Sequence, residues 1–180
     1  LGDVWSNGIA RLRFGKPNGN SSIRNGLDWL LASAAGVGLP FVEVQDVGDL
    51  GIDAHMRPRI SQATAIDALR SLVALRRAGL QQPLPFAPYS GWELFSAEVP
   101  ERGIRDAAAR WRGGDRQWGE GDSDAIRLAL RGRDPFADPA SRDEFARITG
   151  LVFGAVTRGE PAAIDIGDAE VPDDDAEDAA

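Results

Sequence analysis

The 180-residue chain contains no cysteine. That excludes a disulfide framework, a Cys-ligated zinc site, an iron–sulfur cluster and a thiol nucleophile. It has one histidine, His55, so no self-contained multi-His metal site can form. It has one lysine, Lys16, and one methionine, Met56. No apolar run approaches the ~20 residues that a membrane span needs. The chain starts at Leu1, without an initiator Met or a signal-like stretch, and reads as a piece of a longer polypeptide.

The formal net charge is −8. Taken whole, that argues against a nucleic-acid partner, because DNA-binding domains usually show a basic footprint. The acids are unevenly placed, however. Residues 160–180 hold nine acidic side chains, no basic ones and no aromatics. Residues 1–159 hold 19 acids against 20 basic residues, a net of +1. The chain therefore divides into a body, residues 1–158, and an acidic tail, residues 159–180, that reads as disordered. The body is neither DNA-repelling nor strongly basic.

Residues 4–6 and 9–14 flank Asn7-Gly8, a strong hairpin signal for a type I′ turn. Ala10, Leu12 and Phe14 share one face of the second strand; Ile9, Arg11 and Arg13 share the other. A helix follows over residues 22–35, capped by Ser21 or Ser22 and closed by Gly36. Residues 41–45 read as a strand and 48–58 as a polar loop. Residues 61–78 carry the clearest helical stripe, with Gly79 at the stop. Pro83, Pro85 and Pro88 keep residues 81–89 extended. A short amphipathic turn with Trp92, Leu94 and Phe95 comes next. Further helices are predicted over 101–111, from Asp122 or Ser123 to Leu130, and from the capping box Ser141-Arg142-Asp143-Glu144 to about Val156. Trp29, Trp92 and Trp111 are expected to be mostly buried.

The inventory of chemistry is thin. His55 stands in a loop-like segment, with no G-x-S-x-G around any serine, which argues against a Ser/His/Asp triad. Gly15-Lys16 lacks the rest of a phosphate loop. Glu120, Asp122 and Asp124 read as helix-start acids rather than metal ligands. Arg76, Arg77, Arg110 and Arg112 are candidate DNA contacts, with Trp111 a conceivable stacking partner.

One constellation stands apart. Many metal-dependent nucleases use a hairpin whose first strand carries an acid and whose second ends in acid-x-Lys. The two carboxylates hold Mg²⁺, which activates water. Here Asp3 would be the first acid and Lys16 the lysine, but Phe14 stands where the second acid belongs. One carboxylate and one lysine cannot hold a hard cation that wants several oxygens. The hairpin is nuclease-shaped without a metal site.

Against that background, the stretch Gly8-Ile9-Ala10-Arg11-Leu12-Arg13-Phe14-Gly15-Lys16, followed by Leu27-Asp28-Trp29-Leu30-Leu31-Ala32-Ser33-Ala34-Ala35-Gly36, resembles the C-terminal region of the RecC family. So do Arg77-Ala78-Gly79-Leu80-Gln81-Gln82-Pro83-Leu84-Pro85-Phe86-Ala87-Pro88, Ser90-Gly91-Trp92, Ala109-Arg110-Trp111, Gly119-Glu120-Gly121-Asp122, Leu130-Arg131-Gly132-Arg133-Asp134-Pro135-Phe136 and Phe145. The matches run in order over about residues 8–157. RecC is the gamma subunit of RecBCD, exodeoxyribonuclease V. The resemblance implies an α/β (α+β) fold: an inactivated PD-(D/E)xK, restriction-endonuclease-like core with a small mixed sheet flanked by helices. It implies a non-catalytic, cytoplasmic domain in double-strand break repair. That domain docks RecD-like and RecB-like subunits and guides DNA strands during unwinding and Chi scanning. It has no catalytic, cofactor or metal residue of its own. Mg²⁺ and ATP serve the partner subunits.

Two other readings stay open on the residues alone. One is an active Mg²⁺ nuclease with a migrated acid, such as Asp28 or Glu43. The other is a protein-interaction domain unrelated to recombination.

Overall fold

The computed structural model describes residues 4–46, 48, 51–115 and 118–161. Asp3 and the tail beyond Pro161 lie outside the described residues.

Four strands form one mixed sheet in the order β1-β2-β3-β4: β1 Val4–Trp5, β2 Gly8–Phe14, β3 Phe41–Asp46 and β4 Ile52–Met56. β1 and β2 are antiparallel, β2 and β3 parallel, β3 and β4 antiparallel. The parallel pair requires a crossover, and α1, Gly19–Ala34, supplies it. The hairpin forms, with Trp5 opposite Gly8. Its turn is Ser6-Asn7, though, and neither Asn7 nor Gly8 has a positive φ, so no type I′ turn is centred on Asn7-Gly8.

β4 corrects the expectation of a polar loop. Ile52, Ala54 and Met56 alternate with Asp53 and His55, a period-2 pattern hidden between glycines and Pro58. β3 supplies a partner for five residues of it.

The remaining helices are α2 Gln62–Gln81, α3 Pro88–Phe95, α4 Pro100–Arg112, α5 Asp124–Ala129 and α6 Pro139–Arg158. Their ends follow local chemistry. Asn18, not Ser21 or Ser22, caps α1; its side chain accepts from Ser21 N at 3.0 Å while Ser21 Oγ accepts from Asn18 N. That is a reciprocal capping box. α2 runs through Gly79 and stops at Gln82, whose extended backbone (φ −139°) is what a residue before proline adopts. α3 starts at Pro88, the N1 position that proline favours. α6 begins before the predicted box: Asp138 caps it and accepts from Ser141 N at 3.0 Å. Gly159 closes α6 with φ 71°, a left-handed position where glycine avoids the Cβ penalty.

α6 is the spine of the core. Its Ala155 joins Ile9, Trp29, Leu30, Phe41, Ala65 and Ala68 under the sheet. Its Ile148 and Val152 pack with Leu75. Its Phe145 packs with Ala87, Trp111 and Leu130. α1 crosses α6 closely because Gly26 has no side chain; a Cβ there would collide with the Val156 carbonyl. All the helices that contribute to the sheet's core lie on one face of it. Among the described residues, no helix covers the other face.

Candidate functional site

Strand pairing assigns each residue to a face. Ile9, Arg11 and Arg13 of β2 share the inner face with Phe41, Glu43 and Gln45 of β3 and with Asp53 and His55 of β4. Phe41, Glu43 and Gln45 are buried while Val42 and Val44 are only half-buried. The covered face is thus largely polar, so its charges need partners. Arg57, buried just past β4, donates to Glu43 Oε1 from Nη2 at 2.7 Å and from Nε at 3.2 Å. Its Nη1 donates to the carbonyls of Val156 at 3.1 Å and Thr157 at 3.3 Å. These are last-turn carbonyls of α6, which a helix leaves unsatisfied and which attract a cation. The guanidinium also lies 5.7 Å from the Trp29 ring centroid. One arginine therefore ties the sheet to the end of α6. Arg11 is held in parallel fashion: its Nη2 and Nε donate to Asp28 Oδ2 at 2.6 and 3.0 Å.

Beyond this network, at the carboxyl ends of β2 and β3, a cleft of about 530 Å³ opens between the inner face, α3 and the end of α6. Lys16 and Gln45 line it, with Asp53 and His55 on the β4 side and Trp92 and Phe95 on the α3 side. Trp92 and Phe95 are both half-buried, with ring centroids 6.2 Å apart, and both rings rest on Phe153. Arg158 covers the Phe95 ring at 4.9 Å and pairs with Glu160 at 2.9 Å. Next to the cleft, Arg13 lines a small recess with Ser22, Asn25, Glu43 and Gln45. Arg13 Nε is buried and makes no hydrogen bond.

The outer face carries Trp5, Ala10, Leu12, Phe14, Val42, Val44, Ile52, Ala54 and Met56. Trp5, Leu12, Phe14, Ile52 and Met56 are between 61% and 78% exposed. Together they make an apolar surface across the sheet, where an open sheet face is ordinarily polar. Exposed apolar surface of this kind marks an interaction site.

The structure separates residues that the sequence grouped. Phe14 is on the outer face, whereas Lys16, past the end of β2, lines the inner cleft. Glu43 and Asp28, the acids a migrated metal site would draw on, are each held by an arginine. No group of three or more metal-ligating side chains occurs among the described residues. His55 is exposed on β4, not in a loop. Arg76 and Arg77 are exposed on α2. Arg110 and Arg112 are on α4, with Arg110 over the Tyr89 ring at 4.8 Å. The four arginines do not form one patch on one element. Trp111 is 8% exposed, so it is not free to stack a base; Trp29 is 3% exposed and Trp92 only half-buried.

Glu120 does cap a helix, but a different one. It is buried and accepts from Tyr89 N at 2.9 Å, Ser90 N at 2.6 Å and Ser90 Oγ at 2.8 Å, sealing the start of α3. The Glu43–Arg57 pair and the Trp92–Phe95 wall were missed in the sequence. The one signal available for the pair was a charged residue alternating with valines in a short strand.

A family model described as the RecC C-terminal domain matches residues 1–99. The chain belongs to the RecC C-terminal domain family. No curated protein matches it. The match covers the whole sheet and α1 through α3, and so includes both the apolar outer face and most of the cleft. RecC is a subunit of the RecBCD complex, exodeoxyribonuclease V, of DNA repair and recombination, and this chain is a domain of that subunit. The fold is mixed α/β with a four-strand mixed sheet, as the resemblance implied. No helix among the described residues is long and apolar enough to cross a membrane.

Proposed function

We propose that this domain is a non-catalytic scaffold of the helicase–nuclease complex. It docks a RecD-like or RecB-like subunit and guides strands during unwinding and Chi scanning in the cytoplasm. On this reading the fold is an inactivated PD-(D/E)xK core, with body 1–158 and an appended acidic tail, 159–180. Mg²⁺ and ATP are used by the partner subunits. The single observation that carries it is the open apolar sheet face on a chain from a multi-subunit assembly. Burial of such a face against protein gains roughly 25 cal/mol per Å² of apolar area removed from water. The pairing of Glu43 and Asp28 with arginines supports the non-catalytic part, since a carboxylate committed to a guanidinium is a poor ligand for a hard cation.

The test is reconstitution of the complex with a Leu12→Glu, Phe14→Glu chain. The expected outcome is loss of the RecD-like or RecB-like subunit on gel filtration, together with lower unwinding. Full assembly with both charges present would overturn the docking role. Mg²⁺-dependent cleavage by the chain alone, lost in Lys16→Ala, would overturn the non-catalytic role.

A further inference from the structure

We propose that residues 164–167 of this chain add to the free edge of β4 as a fifth, antiparallel strand. The inference does not depend on the docking reading above. β4 ends the sheet order, and among the described residues nothing pairs with its second edge. All five of its residues are exposed. The strand holds no proline or lysine, residues that commonly blunt such an edge. The ladder shows which backbone groups are free. Arg57 N donates to Phe41 O at 2.9 Å. In an antiparallel pair, the residues that exchange hydrogen bonds across β3 and β4 are then Glu43 with His55 and Gln45 with Asp53. The N–H and C=O groups of Ile52, Ala54 and Met56 therefore point to the open edge. The opposite edge of the sheet, β1, offers only two residues.

The occupant follows from where the chain leaves the fold. Arg57, the residue after β4, donates from Nη1 to the carbonyls of Val156 at 3.1 Å and Thr157 at 3.3 Å. Gly159 lies against Ile60, just past the same segment. α6 thus ends within one arginine side chain of the end of β4. The connecting residues 159–163 can reach ~17 Å, and an added strand lies only about 4.8 Å from its neighbour. A chain entering there meets Met56 first and runs toward Ile52, antiparallel to β4. The sequence also matches this edge. Ile164, Ile166 and Val171 are the only branched aliphatic residues beyond Pro161, and the first two alternate with Asp165. Pairing Ile164 with Met56 sets Asp165 beside His55, Ile166 beside Ala54 and Gly167 beside Asp53. The isoleucines then extend the apolar outer face, and the carboxylate meets an imidazole. Sliding the segment by two residues would set Asp165 against Asp53, and like charges directly opposite each other disfavour that register. Strand addition of this kind draws its affinity from main-chain hydrogen bonds.

The experiment is amide hydrogen exchange of the full chain, read residue by residue by NMR. The Ala54 and Met56 amides are expected to exchange at least about tenfold more slowly than unpaired chain. Ile166→Pro removes the N–H that would donate to Ala54 and should release both amides. Asp53 and His55, bonded to β3, stay protected in that variant and show that the sheet is intact. Ala176→Pro should change nothing. A second measurement uses the absence of native cysteine. Ala54→Cys with Ile166→Cys should form an intramolecular disulfide under mild oxidation, because hydrogen-bonded partners lie ~5.5 Å apart at Cα, within disulfide reach. Free exchange of Ala54 and Met56 in the full chain would overturn the inference. So would protection that survives Ile166→Pro; if it also grows with protein concentration, a second copy covers the edge instead. Disulfides formed only between chains would overturn it as well. None of these results touches subunit docking, which is read from assembly of the complex.

Discussion

The two faces of the sheet invert the usual arrangement. The face under the helices holds Arg11, Arg13, Glu43 and Gln45, while the open face holds Leu12, Phe14, Ile52 and Met56. In a free-standing domain, apolar side chains face the core and polar ones face water. The inversion has a physical basis. The inner charges are satisfied locally, by Asp28 and by the Glu43–Arg57–α6 link. The outer side chains Leu12, Phe14, Ile52 and Met56 are left exposed. The inner face therefore serves internal connection, and on the proposed reading the outer face docks a partner subunit.

Substitutions on the two faces should separate these roles. The largest effect is expected at Glu43→Ala. It leaves Arg57, with a 5% exposed side chain, charged and without its carboxylate. Breaking such a buried pair costs about 3–5 kcal/mol. Urea denaturation checks it, and a loss below 1 kcal/mol would mean that the inner network is not structural.

Glu120→Ala comes next. It strips the carboxylate from two backbone N–H groups and the Ser90 hydroxyl at the start of α3. Leaving buried groups unsatisfied costs about 1–3 kcal/mol. α3 carries Trp92 and Phe95, so the same substitution is expected to raise hydrogen exchange along the aromatic wall of the cleft.

On the outer face, Leu12→Ser and Phe14→Ser should change the stability of the isolated chain by only about 0.5 kcal/mol or less, the ordinary range for exposed positions. Their effect is expected in assembly. A large stability loss in the isolated chain would show that the outer face is already covered.

The smallest effect concerns Asp138, away from both faces. Hydrogen bonds from the Ser141 backbone N–H and then its side chain hold this carboxyl below its ordinary 3.8. A depressed folded pKa contributes stability above the unfolded value, and that contribution is lost as pH falls through the folded one. Fraying of the first turn of α6 should therefore set in only below pH 3.8. In Asp138→Asn that pH dependence should vanish, which amide exchange at Ser141 and Arg142 would show.

Much of the fold was legible in sequence because its signals are local. The hairpin, α1, β3, α2 and the later helices follow from periodicity, prolines and glycines. β4 was not legible, because residues 52–56 become a strand only when β3 offers partners. The caps moved by a few residues because Asn18 and Asp138 compete with nearby serines for the same donors. The alternation along β2 was correct, but which side faces the helices is a tertiary fact. Leu12 and Phe14 face out. The site was less legible than the fold. Nothing in the spacing of Glu43 and Arg57, or of Lys16 and Trp92, links them; the β3–β4 pairing brings the first two together, and the packing of α3 beside the sheet brings the second two to one cleft. Phe14 and Lys16 are set on different sides of the sheet for a related reason. β2 ends at Phe14, and Gly15, with φ 83°, turns the chain before Lys16.

Met56 offers the most direct test, because it is the chain's single methionine and lies on the outer face, 61% exposed. Hydroxyl-radical footprinting would compare its oxidation in the free chain and in the assembled helicase–nuclease complex. Strong protection of Met56 and Phe14 on assembly, with Lys16 and Trp92 still reactive, is the predicted result. Equal oxidation of Met56 in both states would contradict the docking role of the open sheet face.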